Sequence, residues 1–384
     1  MTFFFVLFLI LLILAVQKWA LRRCLESIHE DYWMERTVVD PGETFSVILA
    51  VHNQSRRYLP FVKVEMRLPR EFNLEERSGK KEKKEKNGRE ERRAEQPAPP
   101  EEETAPLNGP RVVRSYSLRP WQEVRFHIPV TISRRGRYVL RHPALLGGDF
   151  LGMKEIQREF RQFREVVVAP PEYSLPSLEQ ALGSFLGDYS VRRFLYEDPI
   201  LTAGCREYTG REPMKMIAWK QSARLGTWMV HQYDHTVEPA VTVLLNMETR
   251  EDTEWTEAAF SIARTVCAVL EDRQIKYDFA TNASQAGGSR NGASVAEGLG
   301  EMHFRSVLEC LGRGMDEVSR PFCRMLGELA LKNGRNRGLL VITPGEGLER
   351  PAENAAELDR WRKESGDNVQ ILCARHFCCD RSAG

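Results

Sequence analysis

The run at 239–246, PAVTVLLN, constrains the fold of this chain more than any other stretch. A nearly uninterrupted apolar strand has no face to offer water, so both faces must be covered, as they are inside a parallel sheet. Helical and extended periods alternate after it. Residues 254–274 carry Ala258, Ala259, Ile262, Ala263, Val266, Val269 and Leu270 on one helical face. The pattern then predicts a strand at 276–281, a Gly/Ser-rich loop at 285–300, and helices at 301–311 and 320–333. A strand at 338–343, a helix at 351–365 and a strand at 368–374 complete the series. Alternation of this kind implies a doubly wound α/β domain over 236–376. Such sheets bind ligands outside the carboxyl ends of their strands, which here carry residues 246–250 and 343–346. The glycines of 286–298 do not follow a strand as Gly-x-Gly-x-x-Gly, so a dinucleotide site is not supported.

The first half of the chain has the period of two. Phe45, Val47, Leu49 and Val51 alternate with outward residues, as do Val62, Val64, Met66 and Leu68, then Val124, Phe126, Ile128 and Val130. Asp40-Pro41-Gly42-Glu43 and Asn53-Gln54-Ser55 read as turns. A small antiparallel β-sandwich, immunoglobulin-like, is expected over 37–170. It is interrupted at 74–109 by a mixed-charge and then Pro/Glu-rich loop, which buries too little apolar surface to order itself. Glutamates interleave its cations, which argues for a solvated loop over a lipid- or nucleic-acid-binding tract.

Residues 1–23 open with Phe, Leu, Ile and Val almost without break as far as Val16, and Trp19 to Leu21 extend the run past Lys18. About 20 such residues suffice for a transmembrane helix. Lys18, Arg22 and Arg23 follow the run and no cation precedes it, so the N-terminus is expected outside and the body in the cytoplasm. A cleaved signal peptide would want a basic start and a small-residue cleavage site. The 384 residues carry a formal net charge of +1, so no global field attracts nucleic acid. The eight cysteines, mostly within apolar patterns, suit a reducing compartment better than a disulfide framework. Cys373, His376, Cys378 and Cys379 make one knuckle where structural zinc sites use two, and a frayed tail is expected at 377–384.

Between the two soluble domains, 171–235 reads as a linker. It has weak helical periodicity at 177–188, a short helix at 214–224 behind Pro213, and an extended stretch at 225–233. Its stretch 204–235 is dense in Arg, Lys and aromatic residues. The tract is either a strap, with Trp219 filling a gap and Arg206 and Arg224 paired to carboxylates, or a docking face, since Arg, Tyr and Trp dominate interface hot spots.

Within it, Arg206-Glu207-Tyr208, Gly210, Ile217, Trp219, Ser222-Ala223-Arg224, Gly226 and Tyr233 resemble the signature of the domain of unknown function 58 family. Arg135-Gly136-Arg137-Tyr138 and Asp149-Phe150-Leu151-Gly152 are similar to that family's closing β segments. The resemblance implies a von Willebrand factor A-like α/β domain behind a membrane anchor, and Arg206, Tyr208, Gly210, Trp219, Ser222 and Arg224 as signature and docking positions. It further implies partners: a MoxR-type AAA+ ATPase and a transglutaminase-like membrane protein. Where von Willebrand A-like domains that bind Mg²⁺ place Asp-x-Ser-x-Ser, this chain has Asn246, Glu248 and Arg250, so no metal is expected, or at most weak Mg²⁺ through Glu248. The expectation is a non-enzymatic membrane-anchored assembly module. A Mg²⁺-dependent ligand-binding module is the alternative, and a hydrolase with an unrecognised site the third reading.

Overall fold

The computed structural model describes residues 4, 8, 28–56, 58–74, 109–141, 143–148, 155–158, 163–193, 202–210, 212–233, 240–249, 252–288, 292–335, 337–365 and 368–382. The expected span at 2–21, apart from the helical Phe4 and Phe8, lies outside them, as do 75–108, Arg211 and Arg250. Among the described residues no helix is long and apolar enough to cross a membrane. The chain divides into two units at Ala169 and Pro170.

The first unit is built from β1 (Ile28–Met34), β2 (Val38–Val39), β3 (Thr44–Asn53), β4 (Leu59–Arg67), β5 (Phe72–Leu74), β6 (Arg111–Leu118), β7 (Glu123–Ile132), β8 (Gly136–Arg141), β9 (Ala144–Gly148), β10 (Glu155–Arg158) and β11 (Phe163–Val168). One four-stranded sheet runs β1-β3-β7-β5 and a second β10-β9-β4-β6, while β2-β11-β8 form a third. The period of two sends Phe45, Val47, Leu49 and Val51 inward from one sheet and Val62, Val64 and Met66 from another into a single core. The antiparallel sandwich is therefore present, with corrections. It begins at β1, before position 37, because IHEDYWM buries Glu30 between Ile28 and Tyr32 and so hides its alternation. The strand β6 follows directly after 109, and its inward set of Val112 and Leu118 is too sparse to read as a period.

The second unit contains α1 (Pro176–Arg193), β12 (Thr202–Glu207), α2 (Trp219–Leu225), β13 (Met229–Tyr233), β14 (Ala240–Leu245), α3 (Thr253–Asp272), β15 (Lys276–Thr281), β16 (Ala283–Gln285), β17 (Ala293–Gly298), α4 (Glu301–Arg313), β18 (Gly314–Val318), α5 (Phe322–Asn333), β19 (Gly338–Thr343), α6 (Ala352–Ser365), β20 (Val369–Cys373) and α7 (Ala374–Ser382). Its main sheet runs β17-β15-β14-β19-β20, with β14 parallel to both neighbours, β20 parallel to β19, and β17 antiparallel at one edge. Every residue of β14 and of β19 is buried. Val241, Val243 and Leu245 face a core closed by α3, α4 and α1. Leu244 faces the opposite core with Phe322, Leu326 and Trp361 from α5 and α6. Both faces are covered, as the continuous apolar run requires.

Corrections here follow from edges and ends. The predicted loop at 285–300 contains β17, whose ASVAEG is half exposed and so lacks the buried-strand signal. The predicted frayed tail is α7, which starts at Ala374 inside the predicted domain and packs Phe377 and Cys378 on the core. The predicted helix at 214–224 is broken. A 3-10 turn, Met214–Met216, ends where Ile217 turns extended (φ −69°, ψ 124°), and α2 starts at Trp219.

Candidate functional site

The sheet order places the switch in connection direction between β14 and β19, where doubly wound sheets hold ligands. The loops there are tied to one another. Asn246 is fully buried at the end of β14, and its Oδ1 accepts Asn282 Nδ2 at 2.7 Å and the Glu248 N–H at 3.3 Å. Asn282 Oδ1 in turn accepts the Met247 N–H at 2.8 Å. Thr249 Oγ1 accepts the Gly345 N–H at 3.2 Å, and Thr343 Oγ1 donates to Gly345 O at 2.8 Å.

Glu248 is committed inward as well. Its Oε1 accepts the Phe322 N–H at 2.6 Å, so the carboxylate sits on the first turn of α5, where orphan N–H groups and the helix dipole favour an anion. Its Oε2 accepts Asn354 Nδ2 at 3.2 Å, and that amide also donates to Leu348 O at 3.1 Å. One side chain thus joins the end of β14, the start of α5 and the segment entering α6. A hard cation needs several oxygens aimed at one point. Here the available oxygens are engaged with donors, and the described residues hold no group of three or more His, Cys, Asp or Glu with metal-site geometry. The residues at 246 and 248 do not fit a resident Mg²⁺.

One charged network crosses the same sheet nearer the amino ends of its strands. Asp278 on β15 is buried and accepts Thr242 Oγ1 at 2.8 Å, Arg337 Nη1 at 2.7 Å and Asn333 Nδ2 at 3.1 Å. Burial outweighs the Thr242 and Arg337 contacts and raises its carboxyl above the ordinary range. Arg337 also reaches Glu297 at 2.6 Å. The sequence reading did not find this network, since nothing in an apolar strand marks one Asp as paired across the sheet.

The second candidate is the signature tract, which folds as a two-stranded antiparallel ribbon of β12 and β13 with α2 between them. The ladder extends past β12 through the Tyr208 N–H to Trp228 O at 2.8 Å. Gly210 turns the chain at φ +86°, a region that disfavours side chains. Arg206 pairs with Glu212 at 2.7 Å. The Thr209 hydroxyl at 2.7 Å, aided by Arg206, holds the Glu212 carboxyl down at about 2. Ile217 and Ala218 are buried against the ribbon, with the Ala218 N–H bonded to Met229 O at 2.8 Å.

Ser222 fastens α2 to β13. Its Oγ accepts the Met229 N–H at 2.9 Å and donates to Ala218 O at 3.0 Å. Gly226, at φ +71°, closes the helix with its N–H on Ser222 O at 2.9 Å. Outward from this frame stand Met214, Trp219, Leu225 and Trp228, 68, 57, 62 and 54% exposed. The two tryptophans meet edge to face with centroids 5.5 Å apart. Lys220 and Arg224 are exposed on the same short helix. Trp219 therefore fills no gap, and Arg224 makes no ion pair among the described residues, whereas Arg206 does. Trp228, the second half of the aromatic pair, was not singled out from sequence. Only the ribbon register brings it beside Trp219.

No family model and no curated protein matches this chain. Among solved structures, it is similar at 14% identity to the CARDB domain of a Pyrococcus furiosus protein, determined in complex with di-metal ions. That match covers 37% of this chain and 91% of the other, with a TM-score of 0.21. A second, at 9% identity, is the sporulation control protein Spo0M of Bacillus subtilis, covering 42% of this chain and 55% of that one, with a TM-score of 0.18.

Proposed function

We propose that this chain is a non-enzymatic, membrane-anchored assembly module that presents the Trp219–Trp228 ribbon to a protein partner, a MoxR-type AAA+ ATPase. The observation that carries the reading is the ribbon's division of labour. Gly210, Ser222, Gly226 and the Arg206–Glu212 pair hold the backbone, while four large apolar side chains point into water beside Lys220 and Arg224. Rigid exposed Trp next to cations is the composition of interface hot spots. Support for the von Willebrand A-like reading comes from the central β14 flanked by parallel β15 and β19 with β17 antiparallel at the edge. The antiparallel sandwich is the immunoglobulin-like part of the same arrangement. The inward commitment of Glu248 favours docking through protein surface over docking through Mg²⁺.

The test is binding of a MoxR-type ATPase to the full chain reconstituted in vesicles. Replacing Trp219 and Trp228 together by Ala should abolish binding and leave the unfolding midpoint within error of the parent. Undiminished binding by that double variant would refute the docking surface.

A further inference from the structure

One end of the sandwich gathers features that folding does not explain. Ile28 pairs in register with Asn53, so the chain enters β1 beside the outgoing end of β3. Asn53 organises that end. Its Nδ2 donates to Arg119 O at 3.0 Å, its N–H donates to Gln122 O at 2.9 Å, and its Oδ1 accepts Ser55 Oγ at 2.7 Å. The β3–β4 connection and the β6–β7 turn therefore meet there. Each displays an aromatic ring in water, Tyr58 at 50% and Trp121 at 60% exposure. Arg56 and Arg119 are exposed beside them.

Trp121 is the sharpest of these. The turn 119–122 is closed by the Gln122 N–H on Arg119 O at 3.2 Å, with Pro120 second and Trp121 third at φ 59°. That third position normally takes Gly, because a Cβ is crowded there. A positive-φ residue that also presents an apolar ring to water is an outlier of the kind that points to function. Among the described residues the charge at the tip is positive. Its carboxylate, Glu123, is bonded to Arg125, with His52 across the ladder, while neither Arg56 nor Arg119 has an ion-pair partner among the described residues.

The distance to the apolar N-terminal run is short. Residues 22–27 separate Leu21 from Ile28, and even fully extended they reach no more than about 25 Å. We propose that this tip rests on the membrane surface, with Trp121 and Tyr58 in the interfacial layer and Arg56 and Arg119 against anionic headgroups. The proposal rests on reading 2–21 as a membrane span. Trp and Tyr rings favour the interface because one part is apolar and one part polar. Guanidinium groups near the cytoplasmic leaflet are drawn to its anionic lipids.

The test uses the full chain in vesicles of phosphatidylcholine and phosphatidylglycerol, with acyl chains brominated near the headgroup to quench nearby tryptophans. Trp121→Gly and Trp19→Phe are compared with the parent. Both variants should lose part of the quenching. Trp121→Gly relieves the turn and should unfold no earlier than the parent, so its loss cannot be ascribed to misfolding. The Arg56→Glu, Arg119→Glu double variant, or vesicles of phosphatidylcholine alone, should reduce the Trp121 contribution. If Trp19→Phe loses quenching and Trp121→Gly does not, the span stands and the surface contact is wrong. If neither variant loses quenching, the span reading falls and takes the proposal with it.

Discussion

The loops at the carboxyl ends of β14 and β19 and the ribbon of β12 and β13 use polar residues in opposite ways. At the strand ends, Asn246, Asn282, Glu248 and Thr249 turn toward one another and toward backbone N–H groups. In the ribbon, Ser222, Thr209 and Glu212 lock the frame and leave the rings outside. The location that the architecture reserves for ligands is thus spent on holding three segments together. The ribbon instead leaves its large apolar side chains and two cations, Lys220 and Arg224, exposed. Position in a fold sets where a site can be built, and the side chains decide whether it is.

The largest effects should separate buried from presented tryptophan. Trp361 is fully buried between α6 and the sheet, its Nε1 donating to Arg337 O at 3.1 Å. Trp361→Ala should cost about 3–5 kcal/mol in urea unfolding, while Trp219→Ala should stay within about 0.5 kcal/mol of the parent. A costly Trp219→Ala would mean that the ring supports the fold and is not presented.

Glu248→Ala should cost about 1–2 kcal/mol, because α5 loses its anionic cap and Asn354 an acceptor. Mg²⁺ at millimolar concentration should leave the melting temperature of the parent unchanged, as a ligand-free site predicts by mass action. A Mg²⁺-dependent rise that Glu248→Ala removes would return the strand ends to metal binding. Ser222→Ala should cost about 1 kcal/mol, and the loss should be local. Faster hydrogen exchange at the Met229 amide, with the sheet amides unchanged, would be its signature.

The smallest effect is a difference of sign in acid. Glu212 titrates lower in the folded chain than its ordinary 4.5, at about 2, so its contribution is present above 4.5 and is lost as pH falls toward 2. Asp278 titrates higher when folded, because burial disfavours its charge. Its sign is reversed: stability is greatest with the carboxyl protonated and declines as pH rises from the ordinary 3.8 through the folded value. Acidification should therefore loosen the ribbon while relieving the buried charge in the sheet. Glu212→Gln should abolish the first response and Asp278→Asn the second, each followed by residue-resolved hydrogen exchange. A common sign for both regions would show that one of the two environments is misassigned.

What the chain declares by itself is what depends on near neighbours along the sequence. The run at 239–246 reads as a covered strand, and the seven apolar residues of 254–274 read as one face of a helix. Two positive-φ turn positions, Gly210 and Gly226, are glycines in the sequence, whereas Trp121 at φ 59° carries no such mark. The tertiary structure alone decided what depends on partners far apart. It paired Trp219 with Trp228 and turned Glu248 onto α5, 74 residues away. It matched Asp278 to Arg337, 59 residues away, and made an edge strand of the half-exposed 293–298. Periodicity reports which side of an element meets the core. It carries no record of which side chain waits on the other strand, because that is set by register and by chain closure over long distances.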